Sequence, residues 1–414
     1  MESIFNFPLK NVFIFPLIFF IALIPYSSGS LFDFFLPIIF LFSLFLISKK
    51  KIISHFIRNG CLIYISILIA VTLVRLLLPS NFSDNTFILL ALLFRTILPI
   101  SILMFVYFIY LRFLSLDREK QYNFFIKLYL SWFSTLLITF IFSIFQFSKG
   151  AMNIGLAFPF YSDGIDRHVF GPAIAFVAIT SYIIYSNDSF IKNKFIRVIN
   201  FIFIHLSLLV SIGSSSRGPL LIYVVFLLTT LIKDYKKINI LNTKFINFAS
   251  VLISIVLGLI VYLRNQIPEL VIIINRFFSL FNSVLNPYGD TSRGDRVKDF
   301  LMLLQNINTW PFGDITNPLI TPDSGPYLLL SNYGLFALIS FSIIFIAILL
   351  NSKEKIILGY FSALFFQFAF SSETIFIPRY TILISWSFAL MFISLYLKRQ
   401  NQAKNKSLGN SNFS

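Results

Sequence analysis

The chain is 414 residues long, 57% hydrophobic and 18% aromatic, with only 12% charged residues and a formal net charge of +16. So much apolar surface cannot be hidden in a water-soluble fold, which excludes a soluble enzyme or binding module and leaves an all-α polytopic membrane protein. The positive charge, which in a soluble protein would point to nucleic acid, is here a matter of sidedness, and no nucleic-acid partner is expected. The lone Cys61 excludes a disulfide framework and a Cys-based metal site.

Met1 to Lys10 leads into a long apolar run with no small-residue cleavage site, so no cleaved signal is expected. Hydropathy predicts twelve membrane-spanning helices, near 11 to 26, 31 to 48, 60 to 78, 87 to 111, 125 to 145, 169 to 185, 197 to 212, 218 to 232, 245 to 262, 327 to 350, 356 to 370 and 378 to 397. The second, sixth, eighth and eleventh are short. Alternate connections are basic: Lys49 to Lys51 with Arg58, Arg112 with Arg118 and Lys120, Lys192 and Lys194 with Arg197, Lys233 with Lys236 and Lys237, Lys353 with Lys355, and Lys398 with Arg399. By the positive-inside rule these face the cytoplasm, which puts both termini inside. The chain then reads as a single integral membrane domain, 1 to 414. One large external loop, 263 to 326, lies between helices 9 and 10.

The cations differ by side. Of twenty-two on the inner side seventeen are lysine, whereas of the eleven others nine are arginine: Arg75, Arg95, Arg167, Arg217, Arg264, Arg276, Arg293, Arg296 and Arg379. Topology needs only a point charge, but the guanidinium fork holds phosphate or carboxylate bidentately and stays charged when partly desolvated. The outer face therefore reads as built for a phosphorylated anion. The competing explanation is a lysine-rich codon bias with arginines snorkelling to lipid headgroups.

Four places carry this reading. Gly213-Ser-Ser-Ser-Arg217-Gly-Pro219 is a tight outer turn opening the eighth helix, where N–H groups, hydroxyls and the helix dipole favour an anion, although a Ser cap with Pro near the first turn is also ordinary. Arg293-Gly-Asp-Arg296-Val-Lys-Asp-Phe300 places charges ahead of apolar residues at helical spacing, predicting an amphipathic surface helix; its alternative is a solvated cap of neutralising pairs. Asp323-Ser-Gly-Pro326-Tyr327 puts a carboxylate just outside the tenth helix, where Asp and Ser are also common caps. The last group is intramembrane: Arg95 about two turns inside its helix, Arg75 one turn from an outer end and His205 near mid-bilayer, each either functional or packed and snorkelling. Asp166-Arg167-His168 opens the sixth helix after an outer loop and is a further candidate for the same anion site.

These features together resemble the O-antigen polymerase and ligase superfamily of bacterial envelope polysaccharide enzymes. The resemblance rests on a dozen spans, a large late external loop, Ser216-Arg217-Gly218 opening a helix, Arg296 four residues before Phe300, Pro311-Phe-Gly313, and a passage from Tyr327 ending in Gly334-Leu335. It covers roughly the second half of the chain. Ligases of the superfamily carry a histidine eleven residues before that last glycine, where this chain has Asp323, a departure that favours the polymerase branch.

The resemblance implies a GT-C-like membrane glycosyltransferase of the bacterial inner (plasma) membrane, moving a growing glycan from undecaprenyl pyrophosphate onto the next lipid-linked repeat unit. It implies Arg217 and Arg296 as catalytic groups stabilising the departing pyrophosphate, with Arg293 and Arg167 in support, and Asp323 as acceptor of the hydroxyl proton. Arg95, Arg276 and Tyr327 are further substrate-binding candidates. Partners would be the lipid-linked oligosaccharide, the bilayer, a flippase and a chain-length regulator. No cofactor and no metal are expected, since the outer face offers no Asp-x-Asp pair or His cluster. An O-antigen ligase is the nearest alternative; a transporter or flippase of lipid-linked sugars and a pore subunit are alternatives of other classes.

Overall fold

The computed structural model describes residues 55–77, 86–148, 167–186, 194–213, 218–232, 311–314, 325–351, 355–371 and 378–411. Among these residues there is no strand. The helices are α1 (His55–Leu77), α2 (Thr86–Leu114), α3 (Arg118–Ser148), α4 (Arg167–Tyr185), α5 (Lys194–Gly213), α6 (Gly218–Ile232), α7 (Gly325–Asn351), α8 (Lys355–Ser371) and α9 (Pro378–Ser411). Each falls on a predicted apolar segment. The predicted spans at 11 to 26, 31 to 48 and 245 to 262, and most of the loop 263 to 326, lie outside the described residues.

Among the described residues two stretches are long and apolar enough to cross a membrane, Asn59–Leu77 of α1 and Gly325–Ile348 of α7. The exposed faces of these helices are apolar and several polar groups are turned inward, unlike the pattern of a water-soluble fold. On α1 the exposed face is Leu62, Ile63, Ile69, Leu73, Val74 and Leu77, whereas the buried face carries Thr72 and Arg75. On α5 Val198, Phe201 and Ile202 are exposed while Asn200, Ser207 and Ser211 are buried. Apolar residues outside and polar groups inside suit lipid as the solvent, because hydrocarbon offers nothing to hydrogen-bond a surface polar group. Hydroxyls on these helices also turn back onto their own backbone, as Thr72 does to Leu68 C=O at 2.8 Å and Thr96 to Leu92 C=O at 2.7 Å.

The chain forms two compact units. The first comprises Met1–Phe145, Ala173–Leu209 and Thr374–Ser414. Here the Tyr64 hydroxyl donates to the Thr96 carbonyl at 3.0 Å, joining α1 to α2. Tyr110 and Phe113 of α2 pack their rings on Phe392 and Tyr396 of α9 at nearly constant sequence offset, so these two helices run parallel. Ser387 of α9 gathers two further elements. Its hydroxyl accepts Trp132 Nε1–H at 3.0 Å, and its carbonyl accepts the Thr180 hydroxyl at 3.4 Å. Outside the apolar stretches, Asp117 caps α3: its carbonyl accepts Gln121 N–H at 2.7 Å, and its carboxylate accepts Lys120 Nζ at 2.8 Å. That hydrogen bond and the ammonium charge hold the Asp117 carboxyl below its ordinary value and the Lys120 amine above its own.

The second unit comprises Gln146–Pro172 and Val210–Glu373. Helices α6 and α8 run antiparallel at short range, Gly359 lying against Phe226 and Thr230 and Gly218 against Gln367. Helix α7 differs from the continuous span expected at 327 to 350, because Gly334 has φ 80 and ψ −176 and breaks it. Phe368 of α8 shows how sharp the break is, since it touches both Gly325 and, ring to ring at 4.4 Å, Phe341. A straight helix would hold those two positions about 24 Å apart. The arm before Gly334 therefore folds back toward α8, and the arm after it packs antiparallel to α8 through Phe341, Phe345, Phe361 and Phe365.

Candidate functional site

Of the residues singled out in the sequence, Arg217, Arg276, Arg293, Arg296 and Asp323 lie outside the described residues. Arg167 opens α4, with its side chain likewise outside them. Tyr327 is described, half-buried in the first turn of α7, and Arg95 is half-buried on α2. The scaffold around these positions shows how they are presented.

In the second unit the beginnings of two helices and the second turn of a third meet at one place. Gly218, the first residue of α6, sits so close to Pro172 of α4 and Gln367 of α8 that a methyl group there would lie 2.6 Å from Pro172 Cγ and 3.1 Å from Gln367 Oε1. Gly325, the first residue of α7, presses on the next residue, Phe368, at a distance that leaves no room for any side chain. Chain connectivity puts Arg217 one residue before the first of these helix starts and Asp323 two before the second. Residues 214 to 217 connect two helices fastened by Ser211 Oγ and Tyr223 Oη at 2.8 Å. First-turn N–H groups have no intrahelical partner and carry the positive end of the helix dipole, so gathered helix starts favour an anion.

The break in α7 is held by a second segment. Gly313 (φ 76) and Gly334 (φ 80) face each other's backbones: a Cβ on Gly313 would lie 2.6 Å from Ser331 O, and one on Gly334 would press into Pro311 O. Asp314 N–H donates to the Ser331 carbonyl at 2.7 Å, satisfying one of the carbonyls that a helix end leaves open. Phe312 and Phe336 close the contact with ring centroids 5.9 Å apart. The two short motifs that carried the family resemblance, Pro311-Phe-Gly313 and Gly334-Leu335, are thus the two halves of one interlock. Only glycine adopts such dihedrals without strain, and only glycine lets two backbones come this close.

The intramembrane candidates separate. Arg75 is 1% exposed on the inward face of α1. Arg95 belongs to the first unit, next to the Thr96 carbonyl that accepts Tyr64, whereas the start of α4 and Tyr327 belong to the second. His205 stands edge-on to Phe201 with centroids 4.4 Å apart, an aromatic packing arrangement.

Sequence reasoning missed Gln367, Phe368 and Asp314. Gln367 and Phe368 lie in an apolar run, where the one sign was an amide amid aromatics, and Gln367 is wholly buried. Asp314 follows the motif Pro311-Phe-Gly313 directly, and its position after a glycine turn was the available signal. Among the described residues no group of His, Cys, Asp and Glu is arranged to hold a metal ion. Comparison with protein families, with characterised proteins and with solved structures finds no match.

Proposed function

We propose that this chain is a multi-pass polymerase of the bacterial plasma membrane that joins oligosaccharide repeat units carried on undecaprenyl pyrophosphate, within the O-antigen polymerase and ligase superfamily. The observation that carries the reading is the meeting of two helix beginnings, with the second turn of α4, at Gln367 and Phe368, the two beginnings lying within two residues of Arg217 and Asp323. The apolar exposed faces of the helices and the directions in which they pack support it. Helices α2 and α9, predicted to insert in the same sense, are parallel, and α6 and α7, predicted to insert oppositely to α8, pack antiparallel to it.

In the reaction an acceptor sugar hydroxyl attacks the anomeric carbon of the donor glycan. A carbon–oxygen bond forms to the acceptor, the anomeric bond to phosphate breaks, and the electron pair leaves on the lipid pyrophosphate. Helix N-termini together with Arg217 and Arg296 stabilise the charge that grows there; loss of one such donor costs on the order of 100-fold in rate in enzymes of this general design. Arg293, Arg167 and Arg276 hold the phosphates and Tyr327 the glycan. Asp323 takes the hydroxyl proton.

Deletion of the gene in its host, with surface glycan resolved on a gel, tests this. A polymerase leaves single-repeat glycan and no ladder. Accumulated, unattached polymer would indicate a ligase, and an unchanged ladder would end the reading.

A further inference from the structure

We propose that the end of the first unit where α2 stops, α3 starts and α9 leaves its apolar run is a docking collar for anionic phospholipid headgroups. The inference stands on the membrane reading of the helices and not on the polymerase one.

Packing fixes which residues share this end. Tyr396 of α9 lies against Tyr110 and Phe113 of α2, with ring centroids 5.9 and 5.6 Å apart, and Phe113 meets Phe124 of α3 at 6.4 Å. Gln400 Nε2–H donates to Tyr396 Oη at 3.0 Å, and α9 continues as helix past its apolar run, so the cations after Leu397 are carried on rigid backbone. Arg112 stands in the last turn of α2, Arg118 and Lys120 in the first of α3, Lys127 two turns further on, and Lys398 and Arg399 directly after Leu397 of α9. Arg399 is within electrostatic reach of Tyr110. Against these six cations stand two acids, Asp117 and Glu119, and Asp117 is taken by Lys120 at 2.8 Å.

Among the described residues no carboxylate or other hydrogen-bonding group pairs with the side chain of Arg112, Lys127 or Lys398, although Arg112 and Lys398 are half-buried. Lys127 is exposed on α3 one turn before Leu130 and about three before Leu137, both of them exposed. Apolar residues exposed in this way suit lipid, and an ammonium among them reaches along its stem for the phosphate layer. Partly desolvated charge without a partner is unfavourable, and lipid phosphate is the anion that the bilayer itself brings to this level.

Sidedness alone does not account for the residue types. Topology needs only point charges, and lysine supplies most of those expected on the inner side. Yet three of the five arginines expected there, Arg112, Arg118 and Arg399, gather at this end. A guanidinium fork holds phosphate bidentately, and Tyr110, Tyr122 and Tyr396 add rings of the kind that sit at headgroup level. An acidic protein would serve the outermost charges but not Lys127, which stands about 14 Å further along α3 than Arg118.

The test titrates the purified full chain, delipidated in a non-ionic detergent, with phosphatidylglycerol or phosphatidylcholine in mixed micelles while its thermal midpoint is followed. Wild type is expected to gain stability from phosphatidylglycerol alone, and to lose that gain in high salt. Each cation near an anionic surface contributes about 5-fold in apparent affinity. Arg112→Gln with Lys127→Gln and Lys398→Gln is therefore expected to weaken phosphatidylglycerol binding on the order of 100-fold. Lys233→Gln with Lys236→Gln and Lys237→Gln, an equal charge loss elsewhere in the chain, should keep the wild-type affinity. Should the collar variant fail to fold, Lys127→Gln alone, at an exposed position, decides through its own loss of about 5-fold. Equal affinity in the collar and control variants, or wild-type affinity in folded Lys127→Gln, overturns the collar. A wild type that gains no more from phosphatidylglycerol than from phosphatidylcholine overturns it as well and assigns the charge to an acidic protein. Each of these results leaves the polymerase reading standing.

Discussion

Each of the two units is held together internally, and by different chemistry. In the first, large side chains reach across: the Trp132 indole to Ser387, the Tyr64 phenol to a carbonyl on α2, Tyr110 and Phe113 to Tyr396. In the second, the decisive contacts are made where side chains are absent: Gly218 on Pro172, Gly325 on Phe368, Gly313 and Gly334 on each other's backbones. A side-chain fit yields gradually, because neighbours relax into the space left by a smaller residue. A backbone fit has no such slack. The lesson is that the first unit is suited to be scaffold, and that the second spends its glycines on setting where chain ends stand.

That contrast breaks most easily at Gly334. Gly334→Ala forces a side chain into a conformation that costs on the order of 1–3 kcal/mol and against main-chain atoms that cannot move aside. It should abolish polymer and lower the thermal midpoint measured in detergent, with Gly313→Ala close behind. Gly359→Ala, whose new methyl would meet the Thr230 methyl at 3.0 Å within a helix, should be far milder, because neighbouring side chains shift and alanine favours the helix by about 1 kcal/mol. Equal losses from Gly334→Ala and Gly359→Ala would erase the distinction.

In the first unit Trp132→Phe removes the hydrogen bond to Ser387 and keeps a ring. It should lower stability by about 1 kcal/mol while activity per folded molecule stays at the wild-type level. A selective loss of activity would move α3 from scaffold to site.

The smallest expected effect is at the exposed cap of α3. The Asp117 carboxyl is held below its ordinary value of 3.8 by Lys120, so its contribution is present above that value and is lost as pH falls through the lower, folded one. Asp117→Ala should barely change the midpoint near neutral pH and should flatten its decline under acid. A decline identical to wild type would assign acid sensitivity to other carboxylates.

Much of this was legible from residues alone. Apolar runs place helices well, since hydrocarbon solvent selects them by length and composition, and all nine described helices fall on expected segments. The break in α7 was not legible: the run from Leu335 onward is as apolar as any span, and a glycine inside an apolar helix does not announce a positive φ. Its partner, Pro311 to Gly313, lies eighteen or more residues away, and the pairing is a tertiary fact. The candidate site stands out in the sequence as a list of arginines and one carboxylate, because charge is conspicuous in such a chain, and most of those residues lie outside the described ones. Gln367 and Phe368, on which the helix starts converge, were hidden because amide and aromatic side chains on an apolar helix look like packing. Asp314 was passed over because a single acid after a glycine turn reads as a turn residue.

The central claim is that guanidinium groups before α6 and in the external loop draw out a lipid-borne pyrophosphate as glycan is transferred. Purified protein in nanodiscs, supplied with lipid-linked repeat units and EDTA, should release undecaprenyl pyrophosphate in step with polymer, and Arg217→Glu with Arg296→Glu should stop both while the lipid-linked substrate stays intact. Polymer and pyrophosphate formed at the wild-type rate by that double variant would contradict the account.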